Sequence, residues 1–165
     1  MSKKFVFFRN PDEKNGYLSN WYSCEFKDNE NTYTSTEQYM MYKKAMLFND
    51  LETANKIMSI SSVSKIKAYG REVKNFNEEI WDNNKISIVT DGNYLKFSQN
   101  EVLKKYLLST GNAILAECAV KDRIWGIGLS IASSLRFNEF NWRGENLLGK
   151  CLMSVREKLY EHLYE

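Results

Sequence analysis

The sequence contains only one histidine, His162, so a histidine-based metal site or a Ser/His/Asp triad would rest on a single imidazole in a polar tail. That argues against both. Its three cysteines, Cys24, Cys118 and Cys151, are odd in number, far apart and without CxxC spacing, which reads as thiols in a reducing compartment and neither a zinc site nor a disulfide frame. Long apolar runs are missing as well. The stretch FVFF at 5–8 is four residues long and is followed at once by charge and turn residues, so neither a signal peptide nor a span of ~20 residues is expected. The expected location is the cytoplasm, with no membrane contact. Charge of one sign is not in excess either: 23 Lys and Arg face 21 Asp and Glu, a formal net charge of +2. This balance gives no electrostatic case for a nucleic-acid protein. There is no internal repeat, low-complexity tract, P-loop or dinucleotide glycine fingerprint.

What remains describes a folded globular chain of 165 residues, 43% hydrophobic, 14% aromatic and 27% charged, expected to form a single domain over 1–165. The stretch 34–48, TSTEQYMMYKKAMLF, carries the strongest signal. Thr34, Ser35 and Thr36 offer hydroxyls to cap a helix, and an apolar run without Gly or Pro follows. Glu37 and Lys44 lie seven apart, so a helix puts them on one face roughly 10 Å apart along its axis. The lysine stem leans back over the turn of Met41 toward Glu37. A solvated surface pair is the ordinary alternative. Against it stands the nearly all-round apolar helix, which implies burial, and buried charges cost free energy unless paired or used.

Around that helix, 5–8 reads as a strand, 10–16 as a turn that contains the only proline, and Phe26 and Tyr33 as the arms of a small hairpin. Ser19-Asn20-Trp21 sets a polar pair beside an aromatic face, suited to a base or ribose or else to a turn with a core tryptophan. Residues 50–58 suit a helix. In SKIKAYGREV, Lys65, Lys67 and Arg71 surround Gly70, an arrangement open to a phosphate or merely to solvent. A helix with Trp81 at 77–85 continues through 86–89, with Gly92 and Asn93 as a break or bend. Residues 100–108 form an amphipathic helix, 113–120 a buried strand, and 150–164 a last helix on Leu152, Val155, Leu159 and Leu163. Asp122, Trp125, Gly126 and Gly128 describe a loop where a ligand could lie against backbone, or a turn around a core tryptophan. Residues 137–141 read as loop. The inventory is mainly α, with little strand.

Six blocks, GYLSNWY, TSTEQYMMYKKAMLF, SKIKAYGREV, EVLKKYLLSTGNAILAEC, DRIWGIGL and WRGENLLGKCLMSVR, together resemble the NADAR domain family, also called YbiA-like, in the same order over nearly the whole chain. The resemblance implies a compact, mainly α, single-domain helical fold with a small β element near the N-terminus. It implies N-glycosidic bond cleavage, on phosphoribosylamino-pyrimidine intermediates of riboflavin synthesis or on ADP-ribosylated guanine. It implies no cofactor, no metal and no obligate protein partner. The partner would be a phosphoribosyl or ADP-ribosyl small molecule or an ADP-ribosylated nucleic acid.

Carried over by position, the family's acid falls on Glu37 and its lysine on Lys44. Its later loop falls on Trp125, Gly126 and Gly128 after Glu117 and Asp122, its Ser-Asn segment on Ser19 and Asn20, and its Gly-Arg on Gly70 and Arg71. Its Gly-x-Asn motif falls on Gly144, Asn146 and Gly149. Cys118 and Val120 depart from the usual small or turn-forming residues, which bears on the shape of the Asp122 loop.

The chemistry that follows makes Lys44, lowered by its Met and Tyr surroundings, a neutral nucleophile that forms a Schiff base with the opened ribose. Glu37 shuttles protons and Asp122 orients sugar hydroxyls or water. Trp21 and Trp125 stack on the base, and Lys67 and Arg71 reach phosphate. In a milder version Lys44 stays charged and holds Glu37 or a phosphate. The competing function is a non-catalytic binder of ADP-ribose or a nucleotide.

Overall fold

The expected central helix forms over Thr36–Leu47 (α1) because its first turn is capped twice. Ser35 Oγ accepts from the N–H of Gln38 at 3.1 Å, and Gln38 Oε1 accepts from the N–H of Thr34 at 2.8 Å. This is a reciprocal cap of the kind that satisfies orphan donors at a helix start. Gln38 also donates to the carbonyls of Ile57 and Ile60 at 3.1 and 2.9 Å, which docks α1 on the helix that follows.

A computed structural model describes residues 4–163 of the protein. It is mainly α: among the described residues there are six α-helices and two two-stranded sheets. The chain falls into two compact units, one formed by residues 23–99 and the other by 1–22 with 100–165.

In the unit of residues 23–99, α1 packs against α2 (Leu51–Met58), α3 (Val63–Arg71) and α4 (Glu78–Gln99). Asp50 caps α2 by accepting from Thr53 N–H at 3.1 Å, and its second oxygen accepts from Lys74 N–H at 2.9 Å. The expected hairpin forms as β2 (Phe26–Lys27) and β3 (Thr32–Tyr33), antiparallel with Phe26 opposite Tyr33. Asp28 holds its turn by accepting from Glu30 and Asn31 N–H and from the Tyr33 hydroxyl. Gln99, at the end of α4, clamps Lys27 through both its N–H and its carbonyl.

One reading of glycine is corrected here. No bend occurs at Gly92, because α4 is one helix of 22 residues and a Cβ there would stand 2.6 Å from the Tyr39 ring. Gly70 lies inside α3, with Met41 Sδ 1.9 Å from where its Cβ would be. Both glycines let α1 side chains press against a neighbouring helix. The helix α3 itself went unread, since only Ile66 and Gly70 of its nine residues are buried and its polar face hides the period.

In the other unit, β1 (Phe5–Phe8) pairs in parallel with β4 (Ile114–Glu117), Phe5 opposite Ile114 and Phe8 opposite Glu117. The helix α6 (Leu147–Glu161) packs on β4 and on α5 (Glu101–Ser109). It starts before the expected residue 150, and Leu163 lies past its end, 53% exposed, so it supplies no core contact. Tyr164 lies outside the described residues. Arg156 is buried but satisfied, donating to Thr110 Oγ1 at 2.8 Å and Ala113 O at 2.9 Å. Within 134–141 two short 3-10 turns replace most of the expected loop, Asn138 accepting from the N–H of Phe140. Among the described residues no disulfide joins the cysteines, and no helix is long and apolar enough to cross a membrane.

Candidate active site

Burial settles the first alternative. Glu37, in the first turn of α1, is 4% exposed, and Lys44, two turns on, is half-buried, so the pair is not a solvated surface stripe. The Lys44 Nζ donates to the carbonyl of Gly70 at 2.7 Å. That carbonyl lies in the last turn of α3, where helix carbonyls lack an internal partner and carry partial negative charge. The same amine stands 4.7 Å from the centroid of the Phe76 ring and 5.5 Å from that of Trp81.

The polar and ring partners of the amine are a carbonyl and two aromatic faces, and Met41 Sδ packs beside the same Gly70. Burial pushes the amine below the usual lysine range; the Glu37 carboxylate opposes this and the Arg71 guanidinium adds to it. Sequence reasoning missed Gly70 O, Phe76 and Trp81 as neighbours of Lys44, and only the aromatic character of the latter two gave any signal.

Of the expected phosphate-binding residues, Lys67 is half-buried on α3 and Arg71 is exposed at its end. Gly70 itself offers no open backbone to a phosphate on its side-chain face, because Met41 fills it.

The second group of expected residues belongs to the other unit. Ser19 and Asn20 are buried at 4% and 6% exposure, and Trp21 is half-buried, its backbone N–H donating to Ser19 Oγ at 3.1 Å. The turn alternative therefore describes the backbone of this segment. Asp122 Oδ1 accepts from the N–H groups of Ile124 and Trp125 at 3.0 and 2.8 Å, so one oxygen of this acid fixes the loop that carries Trp125.

That loop is braced against the start of α6. Leu147 and Leu148 N–H donate to Ile124 and Trp125 carbonyls at 3.1 and 3.2 Å, which satisfies orphan donors of the helix. Asn146 N–H donates to Gly126 O at 3.1 Å. The close approach that the glycines permit is made by the protein's own backbone: a Cβ on Gly144 would stand 2.2 Å from Gly126 O, and one on Gly149 2.1 Å from Leu115 O. Gly128 sits at φ +69, where it meets Arg143. Asn146, itself left-handed at φ 53, donates to Leu115 O at 2.9 Å and accepts from Glu117 N–H at 3.2 Å. Its amide thus ties β4 to α6, and Glu117 ends that strand.

A buried acid and a half-buried amine thus share one helix within a mainly helical fold. The chain belongs to the NADAR domain family, which matches it over residues 6–160. It is similar to N-glycosidase R617 of Acanthamoeba polyphaga mimivirus, 47% identical over 94% of this chain and 96% of that one. It is also similar to riboflavin biosynthesis protein VVA0006 of Vibrio vulnificus, 30% identical over 95% of this chain but 39% of that longer protein. Its fold matches the solution structure of the Escherichia coli protein YbiA with a TM-score of 0.82, at 26% identity over 100% of this chain and 90% of that one.

Proposed function

We propose that the protein is an N-glycosyl hydrolase that cleaves the bond between a ribose anomeric carbon and nitrogen. Its substrates are phosphoribosylamino-pyrimidine intermediates or ADP-ribosylated guanine. The observation that carries this reading is the buried Glu37 and the desolvated Lys44 on one helix, with the amine docked on Gly70 O. Naming of the mimivirus relative as an N-glycosidase supports the bond type, and naming of the Vibrio relative supports the pyrimidine substrate.

In the proposed reaction Lys44 gives a proton to the Glu37 carboxylate, and the neutral amine attacks the anomeric carbon while the carbon–nitrogen bond to the base breaks. The departing nitrogen takes a proton from Glu37. The ribose ring then opens as its carbon–oxygen bond breaks and a proton passes from Nζ to the ring oxygen, which leaves a protonated Schiff base between Nζ and that carbon. Water adds to the carbon, its proton returns to Glu37, and the amine departs as the sugar closes. Lys67 and Arg71 are assigned to phosphate. Asp122 is assigned to orienting sugar hydroxyls or water, and Ser19, Asn20, Trp21, Glu117, Trp125, Gly126, Gly128 and Asn146 to substrate binding, on the strength of the family resemblance. Within this group, Asn146 contributes through the strand it holds.

Incubation with each substrate class, read by mass spectrometry for released base, tests the activity. Borohydride added during turnover is expected to leave a ribosyl mass adduct on Lys44. No base released from either class would overturn the function, and release without an adduct would remove the Schiff-base step.

A further inference from the structure

Three surroundings meet at the Lys44 amine, and they respond differently to its charge. The Gly70 carbonyl, 2.7 Å away, accepts a hydrogen bond from an ammonium and from a neutral amine alike. The faces of Phe76 and Trp81, at 4.7 and 5.5 Å, attract only the cation, since the interaction is between positive charge and the ring quadrupole. Resting on the assignment of Lys44 as the reacting amine, we infer that Phe76 and Trp81 are positioning residues. They form an aromatic cradle that holds the ammonium against Gly70 and lets the neutral amine go toward substrate.

The cradle is built by the fold around it. Asn75 takes a left-handed turn at φ 60 just before Phe76. The Phe76 ring then stacks edge-on against buried Phe48, with centroids 5.4 Å apart at 63°. Trp81 stands in the first turn of α4, its backbone N–H on the Asn77 carbonyl at 3.0 Å. Two separate segments thus bring aromatic faces to one amine of α1.

The charged groups bearing on that amine are Glu37 of α1, which favours the ammonium, and Arg71 of α3, which disfavours it. On α2, Glu52 is taken up by Lys56 and Lys74, and on α4 Lys85 is paired with Asp82. Loss of a ring therefore removes a contribution that these ion pairs do not replace. Once the proton leaves, one N–H to Gly70 remains and the rings hold the nitrogen no longer. Its lone pair is then available to an electrophilic carbon.

The test replaces one ring at a time. Trp81→Leu and Phe76→Leu, in the full chain, are each expected to move the limb of the kcat/KM pH profile set by Lys44 to lower pH by about half a unit to one unit. KM on the plateau stays the same, and Trp81→Phe, which restores a ring face, returns the limb toward its original position. NMR titration of the Lys44 side-chain nitrogen, assigned with Lys44→Arg, is expected to show the same displacement without any turnover. A Lys44 signal that titrates at unchanged pH in both leucine variants would overturn the inference. So would a rise in KM alone with the limb fixed, which would place the rings on the substrate instead. Because the titration needs no substrate, it separates failure of the cradle from failure of the Schiff-base reading, which the borohydride adduct decides.

Discussion

Replacing Lys96 by methionine should make the protein more stable, and the gain should vanish as pH rises. Lys96 is 0% exposed on the inner face of α4, with its amine over the Phe97 ring at 5.0 Å. Burial pushes the amine down from an ordinary 10.5 to about 8, with Cys24 acting weakly the other way. Below pH 8 the amine is protonated in both the folded and the unfolded chain, so the fold carries the full cost of the buried charge. Between about 8 and 10.5 the folded chain gives up its proton first, the unfolded state holds more protons, and stability rises with pH. The gap is worth at most about 3 kcal/mol, reduced by whatever hydrogen bonds the amine makes. Methionine matches the lysine stem in volume and needs no hydration.

The expected result at pH 7 is a melting temperature higher by up to about 6 to 12 °C, since 1 kcal/mol moves a domain of this size by about 2 to 4 °C. The assay is a pair of melting or urea series on both proteins from pH 6.5 to 10. Tyr17 and Tyr39, each raised to about 12 by burial, act equally in both and cancel. The decisive quantity is the difference between the two proteins, which should narrow steadily above pH 8. A difference that stays constant across that range would refute the reasoning, whatever its sign at pH 7.

Further outcomes are expected from other residues. Glu37→Gln and Lys44→Ala should each lower kcat by about 10²- to 10⁴-fold, measured by base release, the first through loss of proton transfer and the second through loss of the nucleophile. Asp50→Asn should lower the melting temperature at pH 7, because Lys74 and Thr53 N–H groups hold the carboxyl near 2. That advantage is present above the ordinary value of 3.8 and is lost as pH falls through 2, so the two proteins should melt alike in strong acid. Gly149→Ala drives a Cβ to 2.1 Å from the Leu115 carbonyl and should cost at least the ~1–3 kcal/mol of an overpacked site in urea unfolding. Gly111→Ala, at φ +56 with open space around it, should cost only about 1 kcal/mol.

The helices and the hairpin were legible where local chemistry and burial agreed. The hydroxyls at 34–36 and the apolar run after them announce α1, the apolar side of 50–58 announces α2, and the aromatic ends of the hairpin meet in register. Glu37 and Lys44 stood out because they interrupt an apolar run. Gly92 misled because a glycine in sequence signals a bend, whereas here it and Gly70 each mark a helix–helix contact made by a side chain from α1. Gly144 and Gly149 likewise mark close packing, their side-chain positions lying against the carbonyls of Gly126 and Leu115. Phe76 and Trp81 were not legible as neighbours of Lys44, since nothing in the 34–48 stretch indicates which later aromatics the fold returns to it. Lys96 did leave a signal, falling in the spacing of Val89, Gly92, Asn93 and Phe97 that α4 buries.

The two lysines show why a depressed amine does not by itself mark a catalytic residue. Burial lowers both, and it lowers Lys96 to about 8. Yet Lys96 is wholly enclosed, so no anomeric carbon can approach it without opening α4. Lys44 is half-buried, shares its helix with a buried carboxyl, and rests on a carbonyl and two ring faces that a change of charge can loosen. Desolvation makes either amine easier to deprotonate, but a nucleophile must also be reachable and have a proton carrier within electrostatic reach. Lys44 has the partial exposure and the neighbouring Glu37 that those conditions require.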